Sequence, residues 1–298
     1  MIIRNGVRTF SGNFMLVWKH LVYILIVAGI SVALFLWSFE PVVLRLKDSG
    51  WINEFYGFLE VFYTDPIGVA DAFEVLATNL YLALFKDIGA IWGSYALSLF
   101  ALLVLPYFLY NIGEYTLGVL THSRMSSLLN RSYANTFIST LARSTRYSLW
   151  KLLINIPFFA IIVGLAAGYG MLANAINGAW LLLPIFIALE LLVFAFRYVF
   201  FIGFLPVAVD SEGLVIKAFT EGLDLYTDGY MKKVLLVWAL YIVELAGVVA
   251  IALFSLGAGL LVAVPSIMVI NVACSFVNYF QTKKENFYVG DNQIVKPL

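Results

Sequence analysis

Three charged residues stand inside long apolar runs of this 298-residue chain: Glu190, Arg197 and Glu244. A charge at mid-bilayer costs at least about 2.5–3.5 kcal/mol on insertion scales, so such groups face other helices and find partners there. Two carboxylates and a guanidinium in that setting could relay a proton, hold an ion or bind a polar substrate. The alternative is a buried ion pair that fixes helix register. Glu190 and Arg197 share nearly one helix face but lie two turns apart, about 10 Å along the axis. One or both are therefore expected to reach another helix. Glu244 is the expected partner of Arg197. Glu190 is left for a proton or a polar residue, with Asn155 and Asn271 available to bridge helices. Arg197 could instead snorkel toward a membrane surface.

No enzyme signature accompanies these residues. His20 and His122 belong to different segments, and the chain has no HExxH, no phosphate-cradling glycine loop with a lysine and no GxSxG. Cys274 is the single cysteine, which excludes a disulfide within the chain and a cysteine-based metal site. A lone cysteine in an apolar run reads as a small hydrophobe. The expectation is a non-enzyme with no catalytic residue, no metal and no cofactor. Net charge is zero, so no global field points to nucleic acid as a partner.

The elements that would position the charges follow from composition. The chain is 62% hydrophobic and only 12% charged, against about 25% charged in soluble domains. The missing charges would be needed to clothe a water-facing surface, and a bilayer removes that need. About 20 apolar residues span the hydrocarbon as a helix. Six windows qualify: Leu21–Phe39, Ile88–Ile112, Leu152–Ala173, Ala179–Val209, Val234–Ala258 and Gly259–Tyr279. The predicted fold class is an all-α integral membrane protein, a six-transmembrane-helix bundle with interfacial amphipathic helices. Asn174–Gly178 and Ser255–Gly259 are turn-rich joints that make two helical hairpins. Pro106, Pro157, Pro184, Pro206 and Pro265 place one proline in each of the last five spans, which predicts kinks. The first span is expected to stay uncleaved, because it is long, ends in bulky residues and lacks a small-x-small site.

Lys and Arg set the predicted orientation. Arg4, Arg8 and Lys19 precede the first span, five cations lie between the second and third, and Lys217, Lys232 and Lys233 lie between the fourth and fifth. Both termini are therefore expected to be cytoplasmic, in a cell membrane, with the lipid bilayer as first partner. Four segments lie between or beyond the spans. Residues 40–87 form an extracytoplasmic amphipathic loop, with Trp51, Ile52, Phe55, Leu59 and Phe62 on one helical stripe. Asp65 and Pro66 then open a second helix. Residues 113–150 form a cytoplasmic connection, 210–233 a cytoplasmic surface helix capped by Asp210, and 283–298 a cytoplasmic tail that is strand-like around Asn286–Val289 or simply extended. The 40–87 loop and the 210–233 helix are the two surfaces on which a protein partner could dock, although amphipathic stripes are mostly packing.

The stretch Arg197–Lys233 carries a more specific pattern. An arginine near the end of a span leads to a proline, an aspartate, a short helix with an alanine and a small residue, and a threonine-glycine turn. In this sequence these are Arg197, Pro206, Asp210, Ala218, Gly222, Thr227 and Gly229. The pattern resembles bacterial six-span membrane proteins of unknown function that are related to the membrane domain of glycerophosphodiester phosphodiesterases. That family usually has Ser where this chain has Gly222 and a basic residue where it has Asp228. The resemblance implies architecture and carries no catalytic residue.

Two function classes fit these readings. One is a transport or lipid-handling component with a polar intramembrane site on the fourth and fifth spans. The other is a non-catalytic membrane scaffold or partner subunit of a membrane complex.

Overall fold

Long uninterrupted runs of Leu, Ile, Val, Phe and Ala favour helix over any turn, and the chain is helical through almost all of its length. The computed structural model describes residues 2–65, 68–85, 89, 91–175, 179–212, 214–224, 229–255, 257–290 and 293–296. The helices, in order, are α1 (Ile2–Ser11), α2 (Met15–Asp48), α3 (Trp51–Thr64), α4 (Val69–Phe85), α5 (Trp92–Leu99), α6 (Leu105–Ser127), α7 (Tyr133–Ala175), α8 (Leu183–Phe201), α9 (Phe204–Asp210), α10 (Val215–Asp224), α11 (Tyr230–Phe254) and α12 (Leu260–Thr282). A two-stranded antiparallel hairpin follows, β1 (Phe287–Val289) and β2 (Gln293–Val295), with Tyr288 opposite Ile294. Six helical segments are long and apolar enough to cross a membrane: Met15–Asp48, Trp92–Ser127, Tyr133–Leu172, Leu183–Asp210, Tyr230–Phe254 and Leu260–Thr282.

Several of these helices are longer than hydrocarbon alone requires. Helix α2 has 34 residues, about 50 Å at 1.5 Å per residue. It absorbs the first part of the 40–87 segment expected as a loop. The expected 113–150 connection is likewise mostly helix: α6 runs on to Ser127 and α7 starts at Tyr133. Leu128, at φ 56°, sits in the short joint between them. Apolar-run length measures the part of a helix that lipid could cover, and polar helix continues beyond it without penalty.

Two spans are irregular, each beside a proline. A π-helical turn, Phe100–Val104, joins α5 to α6 just before Pro106. In the fourth span, helix stops at Phe201, turns at Ile202 and Gly203, and restarts as α9. Pro206 lacks the N–H that a continuous helix would bond to Ile202, which accounts for the interruption there. Helix α10 packs on this break. A Cβ on Gly222 would lie 3.3 Å from the Gly203 carbonyl carbon, so a glycine there permits the close approach. The joint Asn174–Gly178 falls partly outside the described residues, as do Pro66 and Thr227. The joint between α11 and α12 is closed by Gly257 at φ 86°, whose N–H donates to the Ala252 carbonyl at 2.8 Å.

The chain divides into two compact units, Ile26–Tyr107 and the remainder, Met1–Leu25 with Phe108–Leu298. In the smaller unit, α3 and α4 pair. Trp51 Nε1 donates to the Leu76 carbonyl at 3.1 Å, Asn79 Nδ2 to Glu54 Oε2 at 3.0 Å, and Phe58 meets Phe73 at 6.1 Å between ring centroids. Ser38 and Ser98 hydroxyls bond at 2.9 Å. No residue of α3 is fully buried. Its stripe is shared between packing on α4 and an outward aromatic surface.

In the larger unit, an aromatic core of Tyr115, Tyr147, Phe204, Phe276, Tyr279 and Phe287 ties α6, α7, α9, α12 and β1 together. Gly113 lets α2 approach α6: a Cβ there would sit 2.4 Å from Tyr23 Cε1, and the Tyr23 hydroxyl donates to the Leu109 carbonyl at 2.5 Å. Helices α8 and α11 pack through Ala195, Val199, Val234 and Val237. Trp238 Nε1 on α11 donates to the Ala188 carbonyl on α8 at 2.9 Å. Helix α1 lies on α12, with Gly6 against Cys274, and Gly12 meets Gly290 beyond β1 so closely that a Cβ on Gly12 would be 2.8 Å from the Gly290 Cα.

Candidate polar cavity

Helical spacing collects polar side chains on the inward faces of four helices of the larger unit. Helix α6 contributes Asn111 and Glu114, one turn apart. Helix α7 contributes Lys151 and Asn155, also one turn apart, with the Asn155 amide donating to the Lys151 carbonyl at 2.5 Å. Helix α8 contributes Arg197 and Tyr198, and α12 contributes Asn271 and Ser275. Lys151 forms an ion pair with Glu114. The Tyr147 hydroxyl donates to the same carboxylate at 2.9 Å. The Lys151 ammonium lies 5.4 Å from the Tyr147 ring centroid and 5.9 Å from that of Phe201. Arg197 donates through Nε to Asn155 Oδ1, and its guanidinium carbon stands 5.5 Å from the Phe159 ring centroid.

A cavity of about 160 Å³ opens among these groups. Its charged lining residues are Glu114, Lys151 and Arg197, one carboxylate against two cations. Asn111 also lines it, with 0% exposure, and neither its amide nitrogen nor its amide oxygen has a hydrogen-bond partner. A buried unpaired amide costs about 1–3 kcal/mol per group, so Asn111 is an unmet demand for both a donor and an acceptor. Tyr198 donates to the Asn271 carbonyl at 3.4 Å, and Met268, Val272 and Leu205 supply an apolar wall. The lining suits a ligand with one polar, charged end.

The residues expected from sequence are distributed differently. Arg197 is in the cavity, but it turns to Asn155 on α7 rather than to Glu244. Glu244 lines a separate, mostly apolar groove with Leu191, Phe194 and Ile267. Glu190 is half-buried on α8. Among the described residues neither carboxylate forms an ion pair with Arg197. The charged groups that line the cavity thus lie on the second, third and fourth spans, and Arg197 is the one expected site residue among them. Val234, Val237, Trp238 and Tyr241 of α11 meet α8, and Glu244 continues that stripe one turn further along, where it faces Leu191 and Phe194 of α8.

Glu114 and Lys151 were not singled out from sequence, because each lies just beyond an apolar run and reads as part of an inner connection. The Lys151–Asn155 spacing and the continued helical register from Tyr110 through Glu114 were the signal available. Of the family-like positions, Pro206 and Ala218 are buried in the core, and Gly229 has φ 67° at the start of α11. Asp210, expected as a cap for α10, is the last residue of α9. It accepts from the Tyr279 hydroxyl at 2.8 Å and lies 3.9 Å from His122 Nε2. Among the described residues no group of three or more His, Cys, Asp or Glu side chains is placed to hold a metal ion.

Fold and cavity together define an all-α chain with six helices long and apolar enough to cross a membrane and a charged cavity inside its larger unit. Comparison with protein-family models, curated proteins and solved structures finds no match.

Proposed function

We propose that this chain is a multi-pass membrane protein with both termini cytoplasmic, and that it works as a transport or lipid-handling component through the cavity bounded by Asn111, Glu114, Lys151 and Arg197. Insertion is supported by what the long helices leave uncovered. Only 6% of the most apolar window of Tyr133–Leu172 is buried, and Phe254 is 93% exposed. Water would penalise such surfaces, whereas lipid covers them at no cost. Orientation rests on the excess of Lys and Arg in the segments before the first span and between the second and third. Function is supported by one observation above all: Asn111 is fully buried with no side-chain hydrogen-bond partner, beside a cavity that Glu114, Lys151 and Arg197 line. A purely structural polar cluster would satisfy its own amide. The break in the fourth span next to Phe201 and Leu205 adds support, since interrupted helices line membrane substrate sites. The activity is non-enzymatic in this reading.

The test is reconstitution into vesicles. Exchange of fluorescent phospholipid analogues between leaflets and flux of small anions are both measured. The expected result is movement of one of these classes by the wild-type protein and its loss in Arg197→Gln. If well-folded protein moves neither, the transport and lipid-handling reading fails. The scaffold reading then gains ground, favoured by the exposed aromatic surface of α3 and α4, where Tyr56, Phe62, Tyr63 and Phe73 point outward.

A further inference from the structure

We infer that the groove beside Glu244 binds a lipophilic organic cation carrying a single charge. This site is separate from the cavity of Glu114 and Lys151, although Tyr241 lines both. Three helices build it. Leu191 and Phe194 come from α8, Tyr241, Glu244 and Val248 from α11, and Ile267 from α12, around a space of about 250 Å³. Among the described residues that line the groove, Glu244 carries the single charge. Among the described residues it also forms no ion pair and no hydrogen bond. The titratable groups within its electrostatic reach are Tyr198, Tyr241 and Cys274, and none of these is a cation in either protonation state. Arg197 acts on Tyr241 without pairing with the Glu244 carboxylate. The groove therefore holds a negative charge that the described residues do not neutralise.

Depth makes that charge costly. Helix α11 runs from Tyr230 to Phe254, which places Glu244 about 21 Å from its first residue and about 15 Å from its last. In the membrane placement proposed above, this is deep in hydrocarbon, where an ionised side chain calls for a partner. The flanking residues Val243 and Leu245 are exposed, so the groove opens toward lipid in that placement. A cation that itself dissolves in hydrocarbon can reach it there. Chemistry narrows the ligand further. Calcium or magnesium takes about six or more oxygen ligands, whereas the groove offers one carboxylate and one phenol. A polyamine would bring further charges with no second carboxylate in the lining to meet them. The remaining wall is apolar, and the Phe194 and Tyr241 rings present faces that attract cations. A single positive charge on an apolar or aromatic body fits the carboxylate, the wall and the rings together.

The experiment places the full chain in nanodiscs of phosphatidylcholine, with binding to empty nanodiscs subtracted. Labelled tetraphenylphosphonium and its isosteric anion tetraphenylborate are measured in separate samples, and tetramethylammonium serves as a small hydrophilic competitor. The expected result is saturable binding of tetraphenylphosphonium, with weak binding of the anion and poor displacement by the competitor. Glu244→Gln keeps the side-chain shape and removes the charge, and is expected to weaken tetraphenylphosphonium binding about tenfold or more. Phe194→Leu keeps an apolar wall and removes a ring face, with an expected loss of about two- to fivefold. Thermal unfolding of each variant confirms its fold, and should Glu244→Gln unfold early, Phe194→Leu decides. The inference is overturned if binding does not exceed that of empty nanodiscs, the result for a carboxylate neutralised by a proton alone. It is also overturned if tetraphenylborate binds as tightly, if tetramethylammonium displaces the probe at equal concentration, or if either folded variant binds as the wild type does. Vesicle movement of lipid or anion without cation binding defeats this inference and leaves the cavity reading standing. Cation binding without such movement does the reverse.

Discussion

Removing one member of the Lys151–Glu114 pair should destabilise the protein unequally, depending on which member goes. Lys151 is only 6% exposed, and breaking a buried ion pair by deleting one partner costs about 3–5 kcal/mol, because the other charge is left without compensation. The two orphans differ, however. With Lys151→Met, Glu114, the more exposed of the two at 18%, keeps the Tyr147 hydroxyl at 2.9 Å, which relieves part of the loss. The relief brings the expected cost to about 1–2 kcal/mol, the range for a lost charge-assisted hydrogen bond. With Glu114→Gln, Lys151, the more buried of the two at 8% side-chain exposure, loses its counter-charge in a cavity that Arg197 also lines, and like charges in a low dielectric repel. The ring faces of Tyr147 and Phe201 soften this by about 1 kcal/mol at most. The expected cost is about 3 kcal/mol or more. The double variant, Lys151→Met with Glu114→Gln, leaves no unbalanced pair and should be at least about 1 kcal/mol more stable than Glu114→Gln alone. Denaturant unfolding in detergent micelles, followed by tryptophan fluorescence, measures all four proteins. The reasoning is refuted if Lys151→Met costs as much as Glu114→Gln, or if the double variant loses the sum of the two.

Three further outcomes test the packing that holds the cavity. Gly113→Ala should cost about 1–3 kcal/mol through overpacking, since the new methyl would meet Tyr23 and His20 at 3.0 Å or less; Gly164→Ala, with nothing within 4 Å of its Cβ, should be neutral or stabilising by up to about 1 kcal/mol, and matched unfolding curves decide. Gly222→Leu should lift α10 from the helix break and expose Gly203 and Phe204, read as faster hydrogen exchange at residues 203–207 with little change in α11. Tyr279→Phe should cost about 1 kcal/mol by leaving Asp210 without its hydroxyl donor; an unchanged unfolding midpoint would mean that this bond contributes nothing.

The long helices were legible because about 20 apolar residues in a row are enough to form a helix of membrane-spanning length, and each of the six runs has them. Their ends were less legible: α2 and α7 carry on past the apolar stretch, and nothing in hydropathy marks where polar helix stops. Arg197 stood out as a cation inside an apolar run. Glu114 and Lys151 did not, because a charge a single residue or two beyond such a run looks like an ordinary loop residue until the neighbouring helix is in place. Glu244 stood out for the same reason as Arg197 and proved to lie elsewhere. One-dimensional order says that a charge is buried in a helix, but which neighbour its face meets is decided by the packing stripe of that helix. Asn111 gave no signal as an unpaired group, since asparagine is paired or unpaired only through its surroundings.

Helix α1 buries Asn5, Gly6 and Thr9, and a Cβ on Gly12 would lie 2.8 Å from the Gly290 Cα. Two stretches far apart in sequence thus close on one another, and the entropy cost of such a closure grows only slowly with the length of the loop between them. A side chain at either glycine would wedge α1 away from the residues beside β1 and loosen both together, so this one contact works as a clasp between distant parts of the larger unit.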